Sequence, residues 1–118
     1  MKLSQKDFLE FQKEFHRWMK IYGCTSWEAR FEFKDMEEND AGCTIQLSPR
    51  SAIVFLNKET ERDEPGDIHR LAFHEATELM LGRIRVLAME RFLDERMLDE
   101  AFHEVIRILE RVLFFKEK

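Results

Sequence analysis

Apolar residues recur at helical spacing near the start of the chain. Phe8, Phe11, Phe15, Trp18, Met19 and Tyr22 share one face, which predicts an amphipathic helix. Ser4 stands where an N-cap belongs, Asp7 completes a variant capping box, and Gly23 suits a left-handed C-cap. The period then drops to two. Trp27, Ala29, Phe31 and Phe33 alternate with Glu28, Arg30, Glu32 and Lys34, the pattern of a half-buried strand. Cys43, Ile45 and Leu47 alternate with polar neighbours as a second strand. Ser48-Pro49-Arg50-Ser51 reads as a turn, and Ser51–Asn57 as a third strand completing a hairpin. The acidic stretch from Asp35 to Asp40 reads as a solvated loop, since its spacing does not match a calcium loop.

Two helices complete the pattern. Glu64-Pro65-Gly66-Asp67 opens the first, with proline and acidic groups suited to a helix start. It is expected to run to about Met89, apolar around most of its circumference and therefore covered on several sides. Gly82 within it suggests the close approach of another backbone, because a mid-helix glycine costs up to about 1 kcal/mol relative to alanine. The second is expected over Glu95–Lys116, with an inner stripe of Leu98, Ala101, Phe102, Val105, Leu109 and Val112. The expected fold is α+β, one domain over residues 1–118. A small three-stranded sheet is covered by the N-terminal helix and the two C-terminal helices.

The apolar central helix carries three polar residues that its pattern does not explain. At about 100° per residue, Glu78 lies roughly 40° from His74, a neighbour at i, i+4. Glu75 points to the side of Ile68, Leu71 and Leu79, where an unpaired charge is costly. Leu71 and Leu79 occupy the i±4 positions of Glu75, and His74 and Gly82 those of Glu78, so no basic residue pairs them along the helix. A divalent cation would resolve the conflict, with His74 and Glu78 as ligands and Glu75 reaching a bound water. Without metal, both carboxylates would need distant partners such as Arg107 or Arg111.

Composition narrows the function classes. The chain of 118 residues is 44% hydrophobic and 36% charged, which favours a folded domain over a disordered one. A net charge of −5 counts against nucleic acid as a partner. No apolar run reaches the length of a membrane span, and the N-terminus lacks the apolar segment of a secretory signal. Cys24 and Cys43 do not make a disulfide framework, so a cytoplasmic location is expected. They read as buried thiols, with extra metal ligands as the alternative.

Taken together, several stretches resemble the small zincin-like metallopeptidase family encoded by bacteriophages and prophages. The resemblance runs from Trp27 to Phe114. It rests on the aromatic first strand, the hairpin ending in Val54-Phe55-Leu56-Asn57 and the Arg70-Leu71-Ala72-Phe73-His74-Glu75 run. It also includes Leu79 to Gly82 and the final helix bearing His103-Glu104-Val105-Ile106-Arg107. It implies a zinc peptidase in which His74 is a ligand, position 78 the second ligand and Glu75 the base that deprotonates a zinc-bound water. A peptide or protein substrate would add to an edge strand, expected near Ala52 to Leu56. The chain departs from the family at Glu78, where the His-Glu-x-x-His pattern has histidine. Glutamate also binds zinc. For the third ligand, the helix stripe places Glu104 at its margin and turns His103 to the polar side, with Glu100 as a further candidate. A His74, Glu78 and Glu104 set would leave zinc formally neutral and a weaker Lewis acid.

Two other functions compete. One is a degenerate zincin-fold phage protein with a binding or structural role. The other is a di-iron carboxylate site, prompted by Glu100-Ala101-Phe102-His103, although such bundles use two of these motifs on four helices. His16 and His69 read as surface residues.

Overall fold

The computed structural model describes residues 1–61, 67–90 and 94–115. The Glu64-Pro65-Gly66 opening, the break expected around Arg91 and the helix end at Lys116 fall outside these residues. The fold is α+β. Helix α1 (Gln5–Tyr22) is followed by strands β1 (Glu28–Lys34), β2 (Ala41–Gln46) and β3 (Ser51–Asn57). Helices α2 (Asp67–Met80), α3 (Gly82–Ala88) and α4 (Glu95–Leu109) come after them, and α4 continues as a π-helical segment, Glu110–Phe114. No described helix is long and apolar enough to cross a membrane.

Both expected caps of α1 are present. The Asp7 N–H donates to Ser4 Oγ at 3.3 Å, the Ser4 N–H donates to Asp7 Oδ2 at 2.8 Å, and Gly23 adopts φ 72°. The Arg111 guanidinium lies over Gly23 and donates to the Tyr22 carbonyl, so a larger side chain at Gly23 would collide as well as strain the backbone.

The sheet order is β1-β3-β2, with β3 parallel to β1 and antiparallel to β2. The expected hairpin is therefore present. The expectation of an edge strand at Ala52–Leu56 is overturned, because β3 is central and β1 and β2 are the edges. The reason lies in composition. Ala52, Val54 and Leu56 are buried, and β1 supplies a second row of apolar partners that covers the free side of the hairpin. Register aligns three rows on the inner face: Ala29, Ala52 and Ile45; Phe31, Val54 and Cys43; Phe33, Leu56 and Ala41.

Helix α1 packs on these rows. Phe8 stacks on Phe33 at 4.9 Å, and Phe15 meets Phe31 edge-on at 5.2 Å. Beside it, α2 is tied to α1 by Trp18 against Phe73 and by Tyr22 OH at 2.8 Å from Thr77 Oγ1. Phe11, Phe15, Val54, Leu56 and Leu79 are the large fully buried side chains.

Three further expectations change. The long central helix divides at Leu81 into α2 and α3. Gly82 faces side chains, not a backbone: an added Cβ would lie 3.0 Å from Ile45 Cδ1 and 3.7 Å from Trp27 Cη2. Helix α4 is also rotated from the expected stripe. Ala101 and Ile108 are buried and Val105 and Val112 half-buried, while Phe102 and Leu109 are exposed. The helix is apolar on two faces, and contacts of its polar residues, Arg50 with Glu104 and Arg111 with Tyr22, select the one that packs.

Candidate metal centre

The first turns of α2 carry Leu71, Ala72 and Ala76 into the core, and this fixes the direction of the residues between them. Glu75 follows the packed side and is 3% exposed. His74 and Glu78 stand at the margin, their side chains 61% and 34% exposed. One ligand atom from each of His74, Glu75 and Glu78 lies within 4.8 Å of the others. The three residues singled out by the helical pattern are thus brought together.

The electrostatics follow from this placement. Burial pushes the Glu75 carboxyl up to about 8, helped by a hydrogen bond with Glu78 and by its charge, and opposed by Arg85. Glu75 Oε2 is buried with no hydrogen-bond partner among the described residues. Glu78 Oε1 sits 3.9 Å from His74 Nε2 and 3.5 Å from Arg85 Nη1. Arg85 is the basic partner missing from the sequence expectation. It reaches Glu78 from α3, seven residues on, because the chain continues almost helically through Leu81: the Arg85 N–H donates to the Leu81 carbonyl at 3.1 Å. The i, i+7 spacing was the available signal. Arg111, one of the distant partners considered, is engaged at Tyr22.

The other candidates lie elsewhere. Glu104 does not join the group; its Oε1 accepts from Arg50 Nη2 at 3.1 Å, and Arg50 lies over the Trp27 ring. His103 is exposed, with Nδ1 2.8 Å from the Asp99 carbonyl. Glu100 pairs with Arg83 at 3.2 Å. His69 is exposed as expected but has a partner, Glu10 on α1, at 2.9 Å. Glu14 completes a second cluster there, already neutralised by Arg17. His16 is exposed with its ring edge against Phe31. Cys24 and Cys43 are free thiols. Cys43 occupies the middle inner row, where burial and then the charges of Glu75 and Glu78 push its thiol up to about 12.

The donor set can be tested against zinc. Two donors on one tetrahedral zinc, each at about 2.0–2.2 Å, stand roughly 3.3–3.6 Å apart. His74 Nε2 and Glu78 Oε1, at 3.9 Å, need only a small side-chain adjustment. The orphaned Glu75 oxygen beside them is the buried polar atom that such a site would satisfy. His74 and Glu78 therefore fit as two of the three protein ligands that a catalytic zinc takes, with Glu75 beside them and Arg85 as the group that would have to give way.

Beside the cluster opens a cleft of about 450 Å³, bounded by the β1–β2 loop and α2 and lined by His74, Glu75 and Leu71. No protein-family model, curated protein or solved structure matches the chain.

Proposed function

We propose that this chain is a zinc-dependent peptidase of the zincin type, similar to those of bacteriophages, in which His74 and Glu78 hold the ion and Glu75 is the base. The observation that carries this reading is Glu75, a 97%-buried carboxyl with one unpartnered oxygen, within 4.8 Å of a histidine and a second carboxylate. When bound, zinc would supply the Lewis acidity that polarises a peptide carbonyl and acidifies water. Glu75 is suited to accept a proton from that water, because a carboxylate oxygen of it lies within 4.8 Å of the His74 and Glu78 ligand atoms and its Oε2 has no hydrogen-bond partner among the described residues. His74 lines the cleft, and both it and Glu78 are partly exposed at the helix margin. A reducing cytoplasm suits the two free thiols.

Arg85 favours a second reading. Its guanidinium already offsets the Glu78 charge, as expected of a zincin-like protein kept for binding or structure after losing its metal. Metal analysis of protein purified without chelator or added metal, followed by peptide hydrolysis with and without zinc, separates the two. Stoichiometric zinc with zinc-dependent cleavage is the expected result. Absence of both, together with no zinc uptake on titration, would leave only the second reading.

A further inference from the structure

We infer that a second copy of this chain covers the outer apolar stripe of α4, the two helices packing antiparallel about a two-fold axis. The surface is separate from the site on α2 and is the same whether or not that site takes zinc.

Helix α4 is apolar on two sides, and the domain uses one of them. Ala101 and Ile108 are buried, with Val105 and Val112 half-buried beside them, and these four form the side that packs. Phe102, Ile106 and Leu109 recur at i, i+4 and i+7. At about 100° per residue they stand roughly 110° around the helix from the packed side. Leu113 follows them in the π-helical segment. These four side chains belong to residues 40–61% exposed. Steps of four, three and four residues make the apolar seam along which one helix meets another.

Size and charge point to a second copy as the occupant. The exposed parts of the four side chains amount to roughly 400 Å² of apolar surface, as large as the main apolar patch of a typical monomer. Two copies with their polar margins would bury about 1,000–1,200 Å², where specific interfaces begin. A two-fold axis between residues 107 and 108 sets Phe102 against Leu113 of the second copy and Ile106 against Leu109. Each apolar residue of the stripe then meets another.

The same axis sets His103 beside Glu110 of the second copy, twice by symmetry. Within one copy these two lie on the same flank of the stripe, and both are exposed. Glu110 makes no ion pair among the described residues. His103 Nδ1 is 2.8 Å from the Asp99 carbonyl, which leaves Nε2 as the outward nitrogen. A parallel pair would instead set this flank against the Leu98–Val105 flank of the other helix, where no charge answers it. A lipid surface fits less well, because interfacial helices carry basic margins, whereas exposed Glu95, Asp99 and Glu110 border this stripe.

The test follows the mass of the full-length protein in chelator by sedimentation equilibrium, from about 1 to 200 µM. A dimer with a dissociation constant of about 1–50 µM is expected. Ile106→Glu should weaken it at least about thirtyfold, because two symmetric charges would enter the apolar seam. Leu9→Glu, at an exposed apolar position on α1, should leave the constant within about twofold. Glu110→Arg should weaken the dimer about three- to tenfold, and adding His103→Glu to it should return affinity to within about twofold of the parent. These two exposed changes keep the test decisive should Ile106→Glu not fold. A chain still monomeric at about 200 µM overturns the inference, as does a dimer that Ile106→Glu leaves intact. Failure of His103→Glu to rescue Glu110→Arg overturns the antiparallel pairing. A monomer that binds vesicles of anionic phospholipid, and loses them in Ile106→Glu, overturns the second copy in favour of lipid.

Discussion

Arg85 Nη1 lies 3.5 Å from Glu78 Oε1, on the same carboxylate oxygen that stands 3.9 Å from His74 Nε2. A metal ion held by His74 and Glu78 would therefore compete with arginine for one atom. Both partners are partly solvated, so the ion pair is worth only a fraction of a kcal/mol to about 1 kcal/mol. Replacing Arg85 by methionine, which keeps the stem and removes the charge, should tighten zinc binding roughly two- to fivefold by calorimetry. A loss of zinc affinity would show that Arg85 orients Glu78 for the ion.

Glu75 sets a pH dependence whose sign can be worked out. Its folded value, about 8, stands above its ordinary value of 4.5, so the folded protein binds the extra proton between these limits. Stability from this group is complete below about pH 4.5 and is lost as pH rises through about 8. At about 1.4 kcal/mol per unit, the loss is on the order of a few kcal/mol. In chelator, the melting temperature should fall by roughly 5–15 °C over that window beyond the fall seen in Glu75→Gln. Parallel curves for the two proteins would mean that Glu75 ionises normally.

How much of this was legible beforehand differs by level. Alternation and helical period placed α1, β1, the hairpin and the two-carboxylate helix, because burial on one face imposes those periods directly. His74, Glu75 and Glu78 were visible because charge on an apolar face violates the pattern. Strand order was less visible: alternation tells which side of a strand is buried, not which strand lies beside it. The rotation of α4 was ambiguous because Phe102, Ile106 and Leu109 compete with Ala101, Val105 and Ile108 for the inner face. Asn57 was missed as the anchor of the acidic loop, since its role appears only once Met36 and Asn39 are brought alongside the end of β3.

Glu104 is held by Arg50 and stands outside the group formed by His74, Glu75 and Glu78. Glu104→Ala should lower unfolding free energy by about 1 kcal/mol, because the half-buried Arg50 loses its acceptor. Zinc affinity should change less than twofold, as for His103→Ala. A tenfold loss of affinity in Glu104→Ala alone would restore Glu104 to the ligand set.

Gly82 is kept small by Ile45. Alanine at the start of α3 would gain up to about 1 kcal/mol in helix propensity, but its Cβ would sit 3.0 Å from Ile45 Cδ1 and 3.2 Å from Cγ2. Overpacking of this kind costs about 1–3 kcal/mol, so Gly82→Ala should destabilise. In an Ile45→Val background the nearest carbon is gone, and the same substitution should become neutral or stabilising. Additive effects in that double-mutant cycle would show that the contact does not set the residue.

The departure at position 78 offers the sharpest comparison. Glu78→His completes the His-Glu-x-x-His spacing, with the two imidazoles at i, i+4 on one helix face. The 34% exposure of the Glu78 side chain leaves room at the helix margin for an imidazole. Arg85 would lose its acceptor and its hold on the site, and the bound ion would keep more of its positive charge. Glu75 would also lose the neighbouring carboxylate that helps raise it, so its value should fall towards the ordinary range even without metal. Zinc affinity is expected to rise about tenfold or more, and any zinc-dependent cleavage to extend to lower pH. In that variant, Glu75→Gln should retain zinc and lower cleavage by roughly 10²–10⁴-fold, the range for loss of a general base. If the histidine variant takes up no zinc, His74, Glu75 and Glu78 do not form a metal centre, and the Glu75–Glu78 carboxyl pair with Arg85 is the whole of the site.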